Sequence, residues 1–331
     1  MVNRDMNFSL WLDFVERDYL KNEFSTLIEK GIINGATSNP SIFASAITTS
    51  PAYKAQLAQL SGKSPKEKYE ALAIEDIRMA AQALRAPYDE GNDGYISIEV
   101  DPFLSNDTEG TIAEGKRLFA AIGEPNVMVK VPATNAGYAA MEALLETGIS
   151  VNATLVFSPE QAKRCLKAMK HGIDLFESDG GRRVQAVISV FVSRFDRHLD
   201  ADLACEGIDV SKTGIYNAAK IYNMIEKNHT PSVKTLFAST GVKGDNLPAD
   251  YYIRELFAAH SVNTAPLATI ESYIAKKETV AKLPMEESDI NGYFTKLADC
   301  GFDMNEVFDT LLKEGLEAFE TAFRDMLKTL E

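Results

Sequence analysis

The chain has 331 residues, 45% apolar and 25% charged, enough for a large globular core built as one barrel or two ordinary domains. Its formal net charge of -14 argues against nucleic acid and anionic membrane as general partners, since both require a basic face. Cys165, Cys205 and Cys300 lie far apart with no C-x-x-C pair, which fits reduced thiols in cytoplasm, not a disulfide frame or zinc site.

The opening stretch MVNRDMNFSLWLDF has no basic segment followed by an apolar one, so no signal peptide is expected. No apolar run approaches the length of a membrane span. Strand-like runs recur near Leu10–Asp13, Ala36–Asn39, Tyr95–Asp101, Val127–Ala133, Val151–Phe157, Ala186–Val192, Thr235–Thr240 and Val262–Ala265. Amphipathic segments alternate with them: Glu67–Leu84, Glu109–Ile122, Ala136–Glu146, Pro159–His171 and Thr213–Lys227. This alternation predicts parallel strands with helical crossovers, and eight of them predict an α/β fold closed as a (β/α)8 TIM barrel. No break in composition marks a boundary, so residues 1–331 are expected to form a single domain. A long helix is expected over Asn305–Leu330, with Val307, Leu311, Leu316, Phe319, Phe323 and Met326 on one stripe. Asp303 and Glu306 have the spacing of a capping box at its start.

The period of two within the strands then sorts side chains by face. Val127, Val129 and Val131 alternate with Met128, Lys130 and Pro132. Lysine is rarely buried without a paired charge or a depressed pKa, so Lys130 is either an edge residue in water or a desolvated amine nucleophile. Ile96, Ile98 and Val100 oppose Ser97, Glu99 and Asp101, and Ile188, Val190 and Val192 oppose Ser189 and Phe191. Val151, Leu155 and Phe157 oppose Asn152 and Thr154, while Leu10 and Leu12 oppose Trp11 and Asp13. Bulky aliphatics usually fill a barrel interior, so polar groups gathered there mark a site.

The inward candidates are Asp13, Thr37, Asn39, Glu99, Lys130, Asn152, Thr154, Ser189 and Ser239. A buried amine unprotonated near neutral pH can attack a carbonyl to form a Schiff base, and two carboxylates can divide the proton transfers. Burial and the two carboxylates pull Lys130 in opposite directions, and the sequence does not sign the result. Arg194, just after the sixth strand, can grip a phosphate or pair at the surface with Asp196.

Other signals are set aside. Gly62-Lys63-Ser64 resembles the end of a P-loop, but the earlier glycine would fall at Leu57. Asn106-Asp107-Thr108, Asn152-Ala153-Thr154 and Asn228-His229-Thr230 match a glycosylation pattern that is idle without secretion. His171, His198, His229 and His260 are scattered, so no metal site is expected. Gly180-Gly181 with Arg182 and Arg183 reads as a turn with solvated charges.

Six motifs carry a resemblance over nearly the whole chain. They are GATSNPSIF (Gly35–Phe43), YISIEVDPFLSNDT (Tyr95–Thr108), VMVKVPAT (Val127–Thr134), GISVNATLVFS (Gly148–Ser158), ISVFVSRFD (Ile188–Asp196) and ASTG (Ala238–Gly241). In this order they resemble the bacterial transaldolase family. The resemblance implies a barrel, class I Schiff-base chemistry and neither metal nor organic cofactor. It implies Lys130 as the Schiff-base lysine, Asp13 as the carboxylate handling the C4 hydroxyl proton, and Glu99 with Thr154 as holders of a catalytic water. It also implies Asn39, Asn152 and Ser189 as the residues orienting the dihydroxyacetone portion, and Arg194 with Ser239 at the substrate phosphate. The best-known transaldolases carry a second arginine after the serine of strand seven; here Thr240-Gly241-Val242-Lys243 stands instead, with Lys243 as a possible point charge.

The expected activity is transfer of a dihydroxyacetone unit between sugar phosphates such as sedoheptulose 7-phosphate, fructose 6-phosphate, erythrose 4-phosphate and glyceraldehyde 3-phosphate. This is the non-oxidative pentose phosphate exchange. One alternative is a fructose 6-phosphate aldolase of the same superfamily. There an amide replaces the water-holding carboxylate and a tyrosine the strand-six aromatic, so Glu99 and Phe191 favour the transferase. The other alternative is a catalytically silent binding barrel, disfavoured because nothing structural requires Lys130, Asp13 and Glu99 together in a core. A monomer or a homodimer is expected.

Overall fold

The computed structural model describes residues 2–228, 230–244, 246–276 and 280–331, so His229 lies outside the described residues. Eight parallel strands close into a barrel in chain order: β1 (Phe8–Leu12), β2 (Gly35–Thr37), β3 (Tyr95–Glu99), β4 (Val127–Pro132), β5 (Ser150–Val156), β6 (Ala186–Phe191), β7 (Val233–Ala238) and β8 (Ser261–Ala265). β8 pairs back on β1, with Phe8 opposite Ser261 and Leu12 opposite Ala265, so the sheet has no open edge. Helices run between the strands, and the architecture is the expected (β/α)8 barrel.

Local chemistry fixes where the helices start. Ser64 and Glu67 form a capping box for the helix Pro65–Ala83, so the Gly62-Lys63-Ser64 stretch is a helix start. Ser158 and Gln161 do the same for Pro159–Ser178, which runs past the expected end at His171. Asn39 caps the helix Pro40–Thr49 by accepting the Ile42 N–H at 3.0 Å.

The outward faces of the strands pack Leu10, Leu12, Ile96 and Ile98 on one side of the barrel and Val129, Val131, Ile188 and Val190 on the other against the helix layer. Inside, Trp11, Met128, Val187, Leu236 and Val262 fill the barrel. Gly35 admits the Trp11 indole; a Cβ there would lie 2.4 Å from Trp11 Nε1. Beneath this plug Lys234 Nζ meets Asp93 Oδ1 at 2.7 Å and Asn7 Oδ1 at 2.8 Å, a buried ion pair closing the N-terminal end.

Two expectations are corrected. In β5 the alternation breaks: Leu155 adopts φ +57° and the register with β6 shifts between Ala153 and Val156. Val156 therefore joins the outer layer, while Leu155 and Phe157 turn to the barrel mouth and pack with Phe191 and Phe195. At the C-terminal helix, Met304–Thr329, Asp303 caps through the Asn305 N–H at 2.8 Å, with Glu306 exposed and no capping box formed. Its buried stripe is Val307, Leu311, Gly315, Phe319, Phe323 and Met326, with Gly315 in place of Leu316. Gly315 allows close approach: a Cβ would lie 2.9 Å from Leu155 Cδ2 and 3.2 Å from Arg194 Nη1. The helix consequently lies over the barrel mouth, with Leu311 and Phe319 in the mouth cluster and Phe323 and Met326 in an outer one.

Candidate active site

In a barrel of this kind the inner positions near the C-terminal strand ends converge on one space. That space is a cavity of about 180 Å³ lined by Asp13, Asn39, Lys130, Thr154, Ser189, Phe191, Arg194 and Ser239, among others. Four larger surface pockets lie elsewhere, and none of those four gathers an amine and a carboxylate from the barrel interior.

Lys130 sits on β4 with its Cα opposite Glu99 of β3 and Asn152 of β5. It is 5% exposed, so the edge-strand alternative fails. Its Nζ donates to the Ser38 carbonyl at 3.1 Å and lies 3.3 Å from Glu99 Oε2. The second contact is an ion pair without hydrogen-bond geometry, which leaves Glu99 Oε2 with no hydrogen-bond donor. Thr154 Oγ1, also buried, lacks a partner as well. Two unsatisfied polar atoms on the strands flanking that of the amine are expensive in a core and suit a site that handles water.

The carboxylates differ in surroundings. Burial pushes Glu99 up to about 7, against the opposing pull of Lys130. Asp13 is also raised by burial, opposed by Lys130 and by the Thr37 hydroxyl. Thr37 Oγ1 donates to Asp13 Oδ1 at 2.7 Å and lies 2.7 Å from Thr264 Oγ1, so a hydroxyl chain fixes the carboxylate. Because Glu99 holds its proton more tightly when folded, stability should fall as pH rises from 4.5 towards about 7, then level off. Glu99→Gln is expected to flatten that decline, read as the difference in thermal midpoints of the two proteins between about pH 5 and about pH 8. Parallel curves would contradict the assignment.

Asn152 is held at both ends, donating from Nδ2 to Ser97 Oγ at 3.0 Å and accepting from Ser189 Oγ at 2.6 Å. It stands behind Ser189, which faces the cavity with Asn39. Ser239 takes φ +54° just past β7, and its Oγ lies 2.9 Å from Ser193 Oγ. The Arg194 guanidinium stacks on Phe191, 5.1 Å from the ring centre. Asp196 is engaged elsewhere, accepting the Gly214 N–H at 3.0 Å and the Tyr252 hydroxyl at 2.8 Å, which removes the surface pair as a reading of Arg194. Burial lowers the Arg194 pKa from its ordinary value. Lys243 is exposed and lies outside the cavity lining. Asp101 leaves the inner face to pair with Lys66 at 2.6 Å.

Besides Ala238, sequence reasoning missed three members of the site. Thr264 shares the inward face of β8 and was open to the same alternation argument. Ser41 projects from the first turn of the helix that Asn39 caps. Phe319, on the C-terminal helix, lines the cavity with its ring centre 5.7 Å from Lys130 Nζ; an apolar stripe gives no sign of such a place. Among the described residues, no three His, Cys, Asp or Glu side chains gather in a metal-binding group.

The sequence matches the family described as Transaldolase/Fructose-6-phosphate aldolase over residues 10–330. It is 46% identical to a protein of Campylobacter jejuni subsp. doylei named Transaldolase, across 98% of this chain and 99% of that protein. A Helicobacter pylori (strain Shi470) protein of the same name is 44% identical, across 97% and 99%.

Proposed function

The chain belongs to the transaldolase/fructose-6-phosphate aldolase family and is an enzyme of the transaldolase type; from its site we infer the following division of labour. Lys130 Nζ attacks the C2 carbonyl of a ketose phosphate, and loss of water gives a Schiff base. Glu99 and Thr154, each with an unpaired oxygen, hold the water that serves this dehydration. Asp13 takes the proton of the C4 hydroxyl, the C3–C4 bond breaks, and an aldose phosphate leaves an enamine on Lys130. The enamine carbon adds to the aldehyde of a second aldose phosphate, Asp13 returns the proton, and hydrolysis frees the new ketose. Asn39 and Ser189, backed by Asn152, orient the three-carbon unit. Arg194 and Ser239 take the phosphate, with Phe191 supporting the guanidinium. The observation that carries this reading is Lys130: a buried amine facing a polar cavity, with two carboxylates whose pKa values are both raised.

No helix among the described residues is long and apolar enough to cross a membrane. Free, exposed Cys205 and Cys300 fit a reducing compartment, and we place the reaction in the cytoplasm.

The test is intact mass analysis after borohydride reduction with fructose 6-phosphate, followed by peptide mapping. An adduct with the mass of reduced dihydroxyacetone on the Lys130 peptide is expected, and erythrose 4-phosphate should deplete it. No adduct on any lysine would end the Schiff-base reading; an adduct that acceptor leaves untouched would mark a lyase.

A further inference from the structure

The enamine on Lys130 has two exits. Its carbon can add to an acceptor aldehyde, which completes transfer. Alternatively it takes a proton, water attacks the resulting iminium carbon, and dihydroxyacetone leaves as Lys130 regains its amine. The second exit consumes one water and makes the enzyme a lyase. Discrimination between the two requires something that keeps bulk water from the enamine while the acceptor arrives.

We propose that Phe319 is that device, a specificity-determining residue that roofs Lys130 and suppresses the hydrolytic exit; the proposal rests on the transaldolase reading. Phe319 is buried, lines the cavity, and faces Lys130 Nζ across 5.7 Å. A phenyl ring offers neither a proton nor a lone pair to anchor water, and its face favours the cationic nitrogen of a protonated Schiff base. The ring arrives from outside the barrel, on a helix seated on either side of it. Toward its N-terminal side Gly315 packs on Leu155, and toward its C-terminal side Phe323 packs on Tyr69 with ring centres 5.2 Å apart. The break in β5 that turns Leu155 to the mouth therefore has a consequence for the site, since it provides part of the surface on which the roof rests.

The experiment compares two rates in wild type, Phe319→Ala and Phe323→Ala: transfer from fructose 6-phosphate to erythrose 4-phosphate, and acceptor-independent release of dihydroxyacetone. In Phe319→Ala the ratio of release to transfer should rise about ten-fold or more, while borohydride still labels Lys130. Phe323→Ala, which loosens the same helix away from the cavity, should lower thermal stability and raise the ratio by much less than Phe319→Ala does. Phe319→Leu keeps the packing and should raise the ratio by a smaller factor, so the test stands if the alanine variant folds poorly. An unchanged ratio in Phe319→Ala, or in Phe319→Leu where the alanine variant does not fold, would overturn the proposal. So would an equal rise in Phe323→Ala. Wild type that neither labels nor transfers would instead sink the transaldolase reading itself.

Discussion

Lys130→Met is expected to abolish turnover, by roughly 10⁴-fold or more, in a protein that still folds. Among the described residues no other lysine lines the cavity, so no second amine there stands ready to replace it. The fold should survive because of what happens to Glu99. Its carboxyl is already pushed up to about 7 by burial, and Lys130 is the group that opposes the rise. Without Lys130 that opposing pull is gone at Glu99 and at Asp13, and burial favours both neutral carboxyls further, so the substitution does not strand a new charge beside the replaced side chain. Methionine keeps most of the lysine stem, and Phe319 and the inner strand faces retain their contacts. Steady-state transfer together with borohydride labelling checks this: neither turnover nor adduct should be detected, with a thermal midpoint near that of wild type. Activity within ten-fold of wild type would remove the Schiff-base mechanism.

Period-two alternation made Lys130, Glu99, Asn152 and Ser189 legible before any fold was in hand, because a parallel strand under a helix has one face that must be apolar. The same rule failed at Leu155. There the φ of +57° falls on a leucine, and no glycine or asparagine announced the bulge. Arg194 was ambiguous for a different reason. Whether it reached the cavity or paired with Asp196 depended on partners distant in sequence, and Gly214 and Tyr252 turned out to occupy that carboxylate. The C-terminal helix was legible as a helix from its stripe. Its seat over the mouth was not, since that depends on Gly315 meeting a residue of β5 that only the bulge presents. Local period therefore exposes the barrel's own contribution to the site, while the contribution of a helix from outside the barrel stays hidden in an ordinary apolar pattern.

If Asp13 serves bond cleavage and Lys130 serves capture of the substrate, Asp13→Ala should separate the two roles as a change in adduct mass. In the proposed mechanism Asp13 accepts the C4 hydroxyl proton, a step needed after the Schiff base exists and before C3–C4 can break. Removing it should slow turnover by roughly 10²- to 10⁴-fold while leaving Lys130 free to capture substrate. Thr37 and Thr264 would remain, but neutral hydroxyls are poor bases near pH 7, so they do not restore the step. Borohydride reduction of the variant with fructose 6-phosphate should consequently yield a Lys130 adduct with the mass of the whole reduced ketose phosphate. Wild type, able to cleave, should yield the adduct of reduced dihydroxyacetone. Absence of any adduct in Asp13→Ala would mean that Asp13 is needed to form the Schiff base. A dihydroxyacetone adduct formed at the wild-type rate would mean that another group takes the C4 proton, and Glu99, the other carboxylate beside Lys130, would be the next residue to test.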